Sequence, residues 1–445
     1  MDSETRKRRQ NLKVILSESL MVFAVIVTVV ILVLLVSGYG INSDFEVERQ
    51  GMLQIYSSPT GASVAVDGEA PWYQRTNTSK VLSASSHDIQ LTSEGYDSWN
   101  KTITISEGLL YRLHYPRLFL LERQAEPVYD VADTTFATIS KDRKSLLLTN
   151  DTTIWTLLEL DHTEPRATAL DLSDIMPSAS IISAEWSQNN NRVLLKTSAS
   201  TAEWVLVNIN NPAESVNLTR EFTVKFDEIR IFDGSASNLL AIQGGNLVKI
   251  DVSGKRISDT IAENVASYDF NGNEVVYVSD GTISLVKIGD STPTTIAVDQ
   301  PPTRVFLSRF YEDKYITIIT DSVVTILNRS NLTKVYEHTL DFAPEIIKIG
   351  ANGDFVFIKN DTRVATIDME ALTMRSWNLS LDYGWLDNHM LYEITNGTLS
   401  VYDFDGLNHR ELSSGVSTGF PVTITGDKYL YYLAGDQLTR EVIIK

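Results

Sequence analysis

The feature that most constrains this chain is a pattern that recurs about every forty residues from position 125 onward. Each unit has an apolar anchor residue, a polar turn rich in Ser, Asp, Asn or Gly, and then a dense apolar strand. A period near forty with about four strands per unit is typical of β-propellers. Eight anchors, separated by 36 to 47 residues, predict eight blades: Ile139, Trp186, Phe232, Phe270, Phe310, Ile349, Trp385 and Ile424.

The strands of individual units can be predicted from their apolar runs. The second unit divides into strands at 182–186, 192–197, 203–209 and 215–219, whereas the last unit has only three, at 421–425, 428–433 and 438–444. A missing strand would leave a bare sheet edge. We therefore expect the fourth strand to come from the start of the domain, near 118–122 or 127–131. Seven blades remain an alternative, because the first unit is longer and its anchor is weaker.

This repeat resembles WD-repeat-like propellers in a general sense. No Trp-Asp dipeptide recurs, so the resemblance implies the architecture alone. A stacked solenoid would also explain a repeat, but the segments between the strands show no amphipathic helical pattern. The fold class expected is mainly β, with the propeller at residues 121–445.

The N-terminus carries a second strong signal. No charged residue occurs between Ser19 and Ser43, and 13 of the 17 residues from Leu20 to Val36 are Val, Ile or Leu. A helix over residues 20–41 would be roughly 33 Å long, enough for a hydrocarbon core of about 30 Å. The predicted order is a cytoplasmic basic tail at 1–19, a transmembrane helix at 20–41 and a linker at 42–50.

The charge distribution orients this segment. The whole chain has a formal net charge of -19; residues 1–19 hold five basic and three acidic groups, which leaves (38 − 5) − (57 − 3) = −21 on residues 20–445. Basic residues before a span favour a cytoplasmic N-terminus and an extracytoplasmic body. The alternative is a cleaved signal peptide, with Val36-Ser37-Gly38 as the cleavage site, but the apolar run is longer than a signal h-region.

Residues 51–120 predict a small β-sandwich. Strand patterns alternate with turn signals in the segments SPTGA at 58–62, VAVDG at 64–68, the strand beginning at His87, and the turn at Gly95-Tyr96. These segments, in this order, resemble the PEGA domain family. The resemblance implies an envelope-side structural or interaction module. Thr60 and the variant loop at 70–73 depart from the family pattern, and Trp72 and Tyr73 in that loop are the candidate partner-binding residues.

We predict no catalytic, cofactor-binding or metal-binding residues. The G-x-S-x-G segment at 415–419 lacks the downstream His that a nucleophile elbow needs, and is interpreted as an inter-blade loop. Asp403-Phe404-Asp405-Gly406 begins like a calcium loop but lacks its closing Glu. The six histidines are dispersed, and His87 is expected to be structural. The tryptophans are expected to pack in the core, Trp72 excepted.

These observations favour a single-pass, membrane-anchored, extracytoplasmic protein of the cell envelope that binds a protein or glycan through its propeller. Loops at 233–238 and 387–389 are candidate partner surfaces. The acidic body should repel nucleic acid, so the expected contacts are membrane lipid, through the helix, and that partner. The alternative is a propeller-based hydrolase or lyase acting on an envelope polymer, because carboxylates from separate blades leave no local motif. A third hypothesis is a component of a larger envelope machine that makes contact through residues 1–16.

Overall fold

The chain forms two compact units, Met1–Leu121 and Glu122–Lys445. The computed structural model describes residues 16, 18–33, 39–41, 47–71, 73–150, 154–198, 202–290, 292–380 and 382–445. Most of the predicted basic tail and Trp72 lie outside the described residues.

The described residues of the first unit form one helix, α1 (18–33), and two β-sheets. Its strands are β1 (Tyr39–Ile41), β2 (Val47–Ile55), β3 (Ser63–Val66), β4 (Thr78–Ser83), β5 (Ser86–Thr92), β6 (Trp99–Thr104) and β7 (Leu110–Leu113). One sheet has the order β1-β2-β4, with β7 parallel to β2, and the other has the order β3-β5-β6. Three of these strands, β1, β4 and β7, were not predicted from the sequence.

The N-terminal boundaries differ from the prediction. The helix predicted to reach Ile41 ends earlier, because Tyr39–Ile41 pairs as an antiparallel strand with β2. The predicted linker at 42–50 overlaps β2, which begins at Val47. None of the helices in the described residues is both long and apolar enough to cross a membrane.

The core of the first unit follows from alternating strands. Residues of β5 and β6 alternate between buried and exposed, as expected for strands with one face on a core. Trp99 is fully buried. His87 is also buried, and its Nδ1 lies 2.7 Å from Oδ2 of Asp67, the first residue of the Asp-Gly turn. The structural role expected for His87 is therefore observed.

The described residues of the second unit form eight consecutive four-stranded antiparallel sheets, here called blades 1 to 8. Blade 1 consists of β9 (Phe136–Ile139), β10 (Ser145–Thr149), β11 (Ile154–Glu159) and β12 (Arg166–Asp171), and blade 2 of β13 (Ile181–Trp186), β14 (Arg192–Thr197), β15 (Trp204–Asn208) and β16 (Val216–Asn217). Blade 3 consists of β17 (Glu228–Ile231), β18 (Asn238–Gln243), β19 (Asn246–Asp251) and β20 (Arg256–Ile257), and blade 4 of β21 (Val265–Asn271), β22 (Glu274–Ser279), β23 (Thr282–Lys287) and β24 (Thr294–Ile296).

Blades 5 to 8 continue the series in the same strand order. Blade 5 consists of β25 (Arg304–Phe310), β26 (Asp313–Thr320), β27 (Val323–Asn328) and β28 (Lys334–Thr339), and blade 6 of β29 (Ile346–Ile349), β30 (Phe355–Lys359), β31 (Arg363–Asp368) and β32 (Thr373–Asn378). Blade 7 consists of β33 (Tyr383–Trp385), β34 (Met390–Thr395), β35 (Thr398–Asp403) and β36 (Arg410–Ser414), and blade 8 of β37 (Thr423–Thr425), β38 (Tyr429–Ala434), β39 (Gln437–Val442) and β8 (Ala125–Asp130).

Blade 8 takes its fourth strand from the start of the unit. Strand β8 pairs with β39, so that Tyr129 lies opposite Leu438. This strand overlaps the second of the two segments predicted to fill the gap, and it removes the edge that β39 would otherwise expose.

Neighbouring blades are joined around a closed ring. Separate apolar clusters connect blades 1 to 6 in succession and blade 8 to blade 1. Phe355 of blade 6 stacks on Trp385 of blade 7, with ring centroids 5.1 Å apart. Ser413 of blade 7 donates a hydrogen bond to Glu441 of blade 8 over 2.7 Å. The second unit is therefore a β-propeller, as the repeat predicted.

One predicted strand is shorter than expected. The segment 215–219 was predicted to be a strand, but β16 ends at Asn217 and a short helix, α2 (Leu218–Phe222), follows. The side chain of Asn217 accepts a hydrogen bond from the backbone N–H of Arg220, which caps the start of the helix. An N-cap of this kind stabilises the start of a helix, because it satisfies a backbone N–H that has no partner within the helix.

Candidate functional site

The first strands of the blades face one another around the centre of the ring. Hydrogen bonds cross between them: the backbone N–H of Ile231 donates to Glu185 over 3.1 Å, and the backbone N–H of Val305 donates to Ser267 over 3.3 Å. The first strands therefore form the wall of a central channel.

A cavity of about 680 Å³ lies along this wall. Its lining comes from β17, β21, β25 and β29 of blades 3 to 6 and from the residues directly before two of these strands. The lining is mixed: Phe306, Ile347 and Ile349 are apolar, and beside them are six acidic or basic residues, Glu228, Arg230, Asp269, Arg304, Glu345 and Lys348.

Asp269 joins three blades within this wall. Its carboxylate accepts a hydrogen bond from Arg230 of blade 3 over 2.9 Å and another from the backbone N–H of Leu307 in blade 5 over 2.8 Å. Burial raises the pKa of Asp269, against the lowering effect of Arg230. Burial also raises the pKa of Glu228. Asp269 is thus a buried, paired carboxylate that fixes the relative positions of the strands.

Lys348 is the most strongly perturbed cation in the channel. Its Nζ lies 3.8 Å from the ring centroid of Trp385 in blade 7, a cation–π contact. Burial and, secondarily, the charge of Arg143 lower the pKa of Lys348 to about 7, although Asp387 acts in the opposite direction. Near neutral pH this amine is therefore divided between its charged and neutral forms.

Arg143 reaches the same tryptophan from another part of the ring. It lies in the turn after β9, with a left-handed φ of 60°, and its Nη1 donates to the backbone O of Trp385 over 3.0 Å. The backbone O of Arg143 accepts a hydrogen bond from Thr425 of blade 8 over 2.7 Å. Arg143 is thus held by blades 1 and 8 while its guanidinium contacts blade 7.

A second pair of charged residues extends the channel towards blades 1 and 2. Glu185 lies on β13, and burial raises its pKa. Lys141 lies on the same turn as Arg143, and burial lowers its pKa, against the attraction of Glu185. Charges of both signs therefore line the channel beyond the main cavity.

The structure places Tyr73 at the surface of the first unit, with 69% of the residue exposed. Its predicted companion, Trp72, lies outside the described residues. The prediction that this loop binds a partner therefore stays a prediction. Of the other tryptophans, Trp99, Trp155, Trp186 and Trp204 are buried in cores, as expected, whereas Trp377 and Trp385 are only half-buried.

The two loops predicted as partner surfaces are both structured by internal contacts. Asp233 accepts hydrogen bonds from the backbone N–H groups of Ser235, Ser237 and Asn238. His389 forms an ion pair with Asp354 of the neighbouring blade. These contacts give both loops a structural role.

The remaining motifs lie where strands connect. Residues 415–419 join β36 to β37, as predicted for an inter-blade loop, and Ser417 Oγ accepts a hydrogen bond from the backbone N–H of Gly435 over 3.0 Å. Asp403 ends β35, and Gly406 in the following turn has a φ of 75°. Among the described residues, no group of three or more His, Asp or Glu side chains is arranged to hold a metal ion.

The charged channel wall was not predicted from the sequence, although the sequence contains one signal for it. The residue directly before the anchor is charged in four of the eight units: Glu185, Asp269, Arg309 and Lys348. A charge in the middle of an apolar first strand is unusual for a buried strand. Three of these four residues contribute to the channel wall described above.

Comparisons with known proteins agree with this architecture. Residues 50–116 match the PEGA domain family. The C-terminal WD40 domain of Sif2 is similar in structure, with a TM-score of 0.50 and 13% identity over 72% of this chain and 98% of that chain.

Two further solved structures are similar. Hsv2p of Kluyveromyces lactis has a TM-score of 0.42 and 10% identity over 61% of this chain and 92% of its own. The computationally designed Ika8 protein has a TM-score of 0.46 and 12% identity over 72% of this chain and 100% of its own. No curated protein matches the chain. The predicted resemblances to PEGA domains and WD-repeat-like propellers are thus confirmed, and at these identities the propeller likeness concerns the fold alone.

Proposed function

We propose that this chain is a single-pass, membrane-anchored protein of the cell envelope whose extracytoplasmic propeller binds a protein or glycan partner. The observation that carries the proposal is the channel cavity of about 680 Å³, lined by four consecutive blades. Ligand pockets commonly have volumes of about 300–1,000 Å³ and combine apolar walls with a few placed polar groups. The cavity has both properties.

The anchoring part of the proposal is supported by the exposed side chains of α1. Leu20, Met21 and Phe23 are each more than half exposed, as are most of their apolar neighbours in the helix. A contiguous apolar surface of this kind is typical of contact with lipid or another protein. The basic residues that precede it in the sequence favour a cytoplasmic N-terminus.

Because the chain contains no cysteine, single introduced cysteines can test the topology. Ser3→Cys would report on the N-terminal tail and Asp427→Cys on the exposed turn between β37 and β38. In intact cells, a membrane-impermeant maleimide should label Asp427→Cys, and it should label Ser3→Cys only after lysis. Equal labelling of both variants in intact cells, or of neither, would contradict the proposed topology.

Partner binding can be tested with variants of the full-length chain. Ile346 lines the cavity and is 46% exposed, whereas His338 is exposed on the outer strand β28. We expect a partner isolated with the wild-type chain to be lost with Ile346→Trp, which fills the cavity, and retained with the control His338→Trp. A partner retained equally by both variants would place binding outside the channel.

A second candidate function is hydrolysis or elimination on an envelope polymer. It is favoured by one observation: Glu228, Asp269 and Glu345 all line the same cavity, and paired carboxylates are the usual acid and base in such reactions. We rank it below binding because Asp269 is already engaged by Arg230 and Leu307. Release of reducing ends from envelope polysaccharide, abolished by Glu228→Gln, would reverse this ranking.

A further inference from the structure

His87, on β5 of the first unit, is a buried side chain whose two ring nitrogens both lie against oxygen atoms. Its Nδ1 lies 2.7 Å from Oδ2 of Asp67, and its Nε2 lies 2.9 Å from the backbone O of Ser83. The hydroxyl oxygens of Ser83 and Ser85 lie 3.3 Å and 3.1 Å from the same Nε2. Because only 6% of His87 is exposed, these oxygens take the place of water around the ring.

The two main contacts each require a proton on the ring. A backbone carbonyl oxygen only accepts hydrogen bonds, so the contact with Ser83 O needs a proton on Nε2. An ionised carboxylate also only accepts, so the contact with Asp67 needs a proton on Nδ1. The hydrogen bond from His87 is the main cause that lowers the pKa of Asp67, which favours the ionised carboxylate. In this arrangement the ring is therefore an imidazolium that donates from both nitrogens.

Asp67 connects this ring to a surface loop. It is the first residue of the turn after β3, and its Oδ1 accepts a hydrogen bond from the backbone N–H of Asp88 over 2.9 Å. The loop at 67–75 starts at this turn and returns to β3, where the backbone N–H of Val64 donates to Gln74 O over 3.1 Å. The exposed Tyr73, one of the two candidate partner-binding residues, lies in this loop. One of the side-chain bonds that hold the start of the loop thus depends on the charge of His87.

We infer that His87 is a proton-dependent clamp on the loop at 67–75, closed when both ring nitrogens carry a proton. A neutral imidazole has a single N–H, so it cannot donate to Asp67 and to Ser83 O at the same time. The clamp therefore holds where Asp67 is ionised and His87 is charged, and it opens as the pH rises and the ring loses a proton. This inference goes beyond the proposed function, because it concerns the first unit and does not depend on binding in the propeller channel.

Other charged residues lie on the strands and turns around His87: Glu48, Arg49, Glu69, Arg75, Lys80, Asp88, Lys101, Glu107 and Arg112. Lys101 on the neighbouring β6 donates to the hydroxyl of Tyr115 over 2.6 Å, and Lys80 on β4 favours the ionised form of Asp67. Among the described residues, the charged group that forms a hydrogen bond with the His87 ring is the carboxylate of Asp67. The proton on His87 is therefore coupled first to Asp67.

The protonation of the ring can be measured by nitrogen NMR of the full-length chain in detergent, labelled at its histidines, with the His87 signals identified by their loss in His87→Gln. We expect both ring nitrogens to carry a proton at pH 5.5. Asp67→Asn keeps an oxygen for the Asp88 N–H, and asparagine tolerates the left-handed φ of 53° at this position. Because this change removes the negative charge, His87 should lose its second proton at a lower pH than in the wild type. A singly protonated ring at pH 5.5, or the same titration in both proteins, would overturn the inference.

The release of the loop can be measured by hydrogen exchange of the same chain, with rates corrected for the intrinsic effect of pH. The backbone amides at 66–75 should be roughly fivefold better protected at pH 5.5 than at pH 9.5, a modest effect for a charge-assisted hydrogen bond because the side chain of Asp67 is 52% exposed. His87→Gln should abolish this difference. The control His114→Gln, which changes the other histidine of the first unit, should keep it. A wild type without the difference, or a difference that persists in His87→Gln, would contradict the clamp.

Discussion

Arg440 and Glu126 form an ion pair of 2.7 Å between two strands from opposite ends of the propeller sequence. Glu126 belongs to β8 and Arg440 to β39, where the two strands complete blade 8. Leu438, on the same strand as Arg440, is buried in the apolar cluster that joins blade 8 to blade 1. The ring is thus closed by a charged pair outside and by hydrophobic packing inside.

We predict that packing, not the ion pair, holds this closure. Leu438→Ala should lower the free energy of unfolding by about 2–5 kcal/mol, because it leaves a cavity in a fully buried cluster. Glu126→Gln should cost less than about 1 kcal/mol, since the side chain of Glu126 is 64% exposed and ion pairs in contact with solvent contribute little. Urea unfolding followed by circular dichroism measures both, and an equal loss in the two variants would contradict the prediction.

The ring of Tyr392 leaves no room for a side chain larger than that of glycine at position 384. A Cβ atom at position 384 would lie 2.5–2.6 Å from Oη and Cε1 of Tyr392, its partner on β34. Gly384→Ala should therefore lower the free energy of unfolding by about 1–3 kcal/mol. The control Gly234→Ala, whose Cβ would have one ordinary contact at 3.6 Å, should change it by less than about 0.5 kcal/mol.

A double variant can show why Gly384→Ala lowers the free energy of unfolding. If the clash is with the tyrosine ring, Gly384→Ala combined with Tyr392→Leu should be more stable than the sum of the two single changes implies. Strict additivity would show that the alanine is excluded for another reason.

The ion pair between His389 and Asp354 should make stability depend on pH. Burial alone would lower the pKa of His389, but the hydrogen bond and charge of Asp354 raise it above its ordinary value of 6.5. The stabilisation is then complete below pH 6.5 and is lost as the pH rises through the folded-state pKa. The difference in unfolding free energy between the wild type and Asp354→Asn should be largest near pH 5.5 and shrink above neutrality; a difference independent of pH would be inconsistent with the pair.

The contribution of Lys348 to stability should change with pH in the opposite direction to that of His389. Because its pKa falls from 10.5 in the unfolded chain to about 7 in the folded one, the unfolded state binds more protons between these values, and stability rises with pH. Lys348→Met removes this contribution. The stability of the wild type relative to Lys348→Met should therefore increase between pH 7 and pH 10, and a relative stability that decreases would refute the assignment of a lowered pKa.

The propeller could be predicted because its signal is local and repeated. Seven of the eight anchors fall within the first strand of a blade, and Phe232 directly follows one, so the spacing alone located the units. The incomplete last unit also implied a strand from the start of the domain, and β8 supplies it. The anchor spacing and the number of strands in each unit can both be determined from short segments of the sequence.

The channel site could not be predicted in the same way. Arg143, Lys348 and Trp385 belong to blades 1, 6 and 7, and only closure of the ring brings them together. The period of the repeat says where strands lie, but not which side chains meet across the centre. The contacts of the loop at 387–389 could not be predicted for the same reason. His389 is paired with Asp354 of blade 6, and the sequence of the loop itself does not indicate this partner.

Photocrosslinking in living cells can test whether the propeller binds a partner through its channel. A photoreactive side chain would replace Ile346, on the cavity lining, or His338, on the outer strand of blade 5, in the full-length chain. We expect a discrete crosslinked partner from position 346 and none from position 338. No crosslink from position 346, or the same product from both positions, would contradict it.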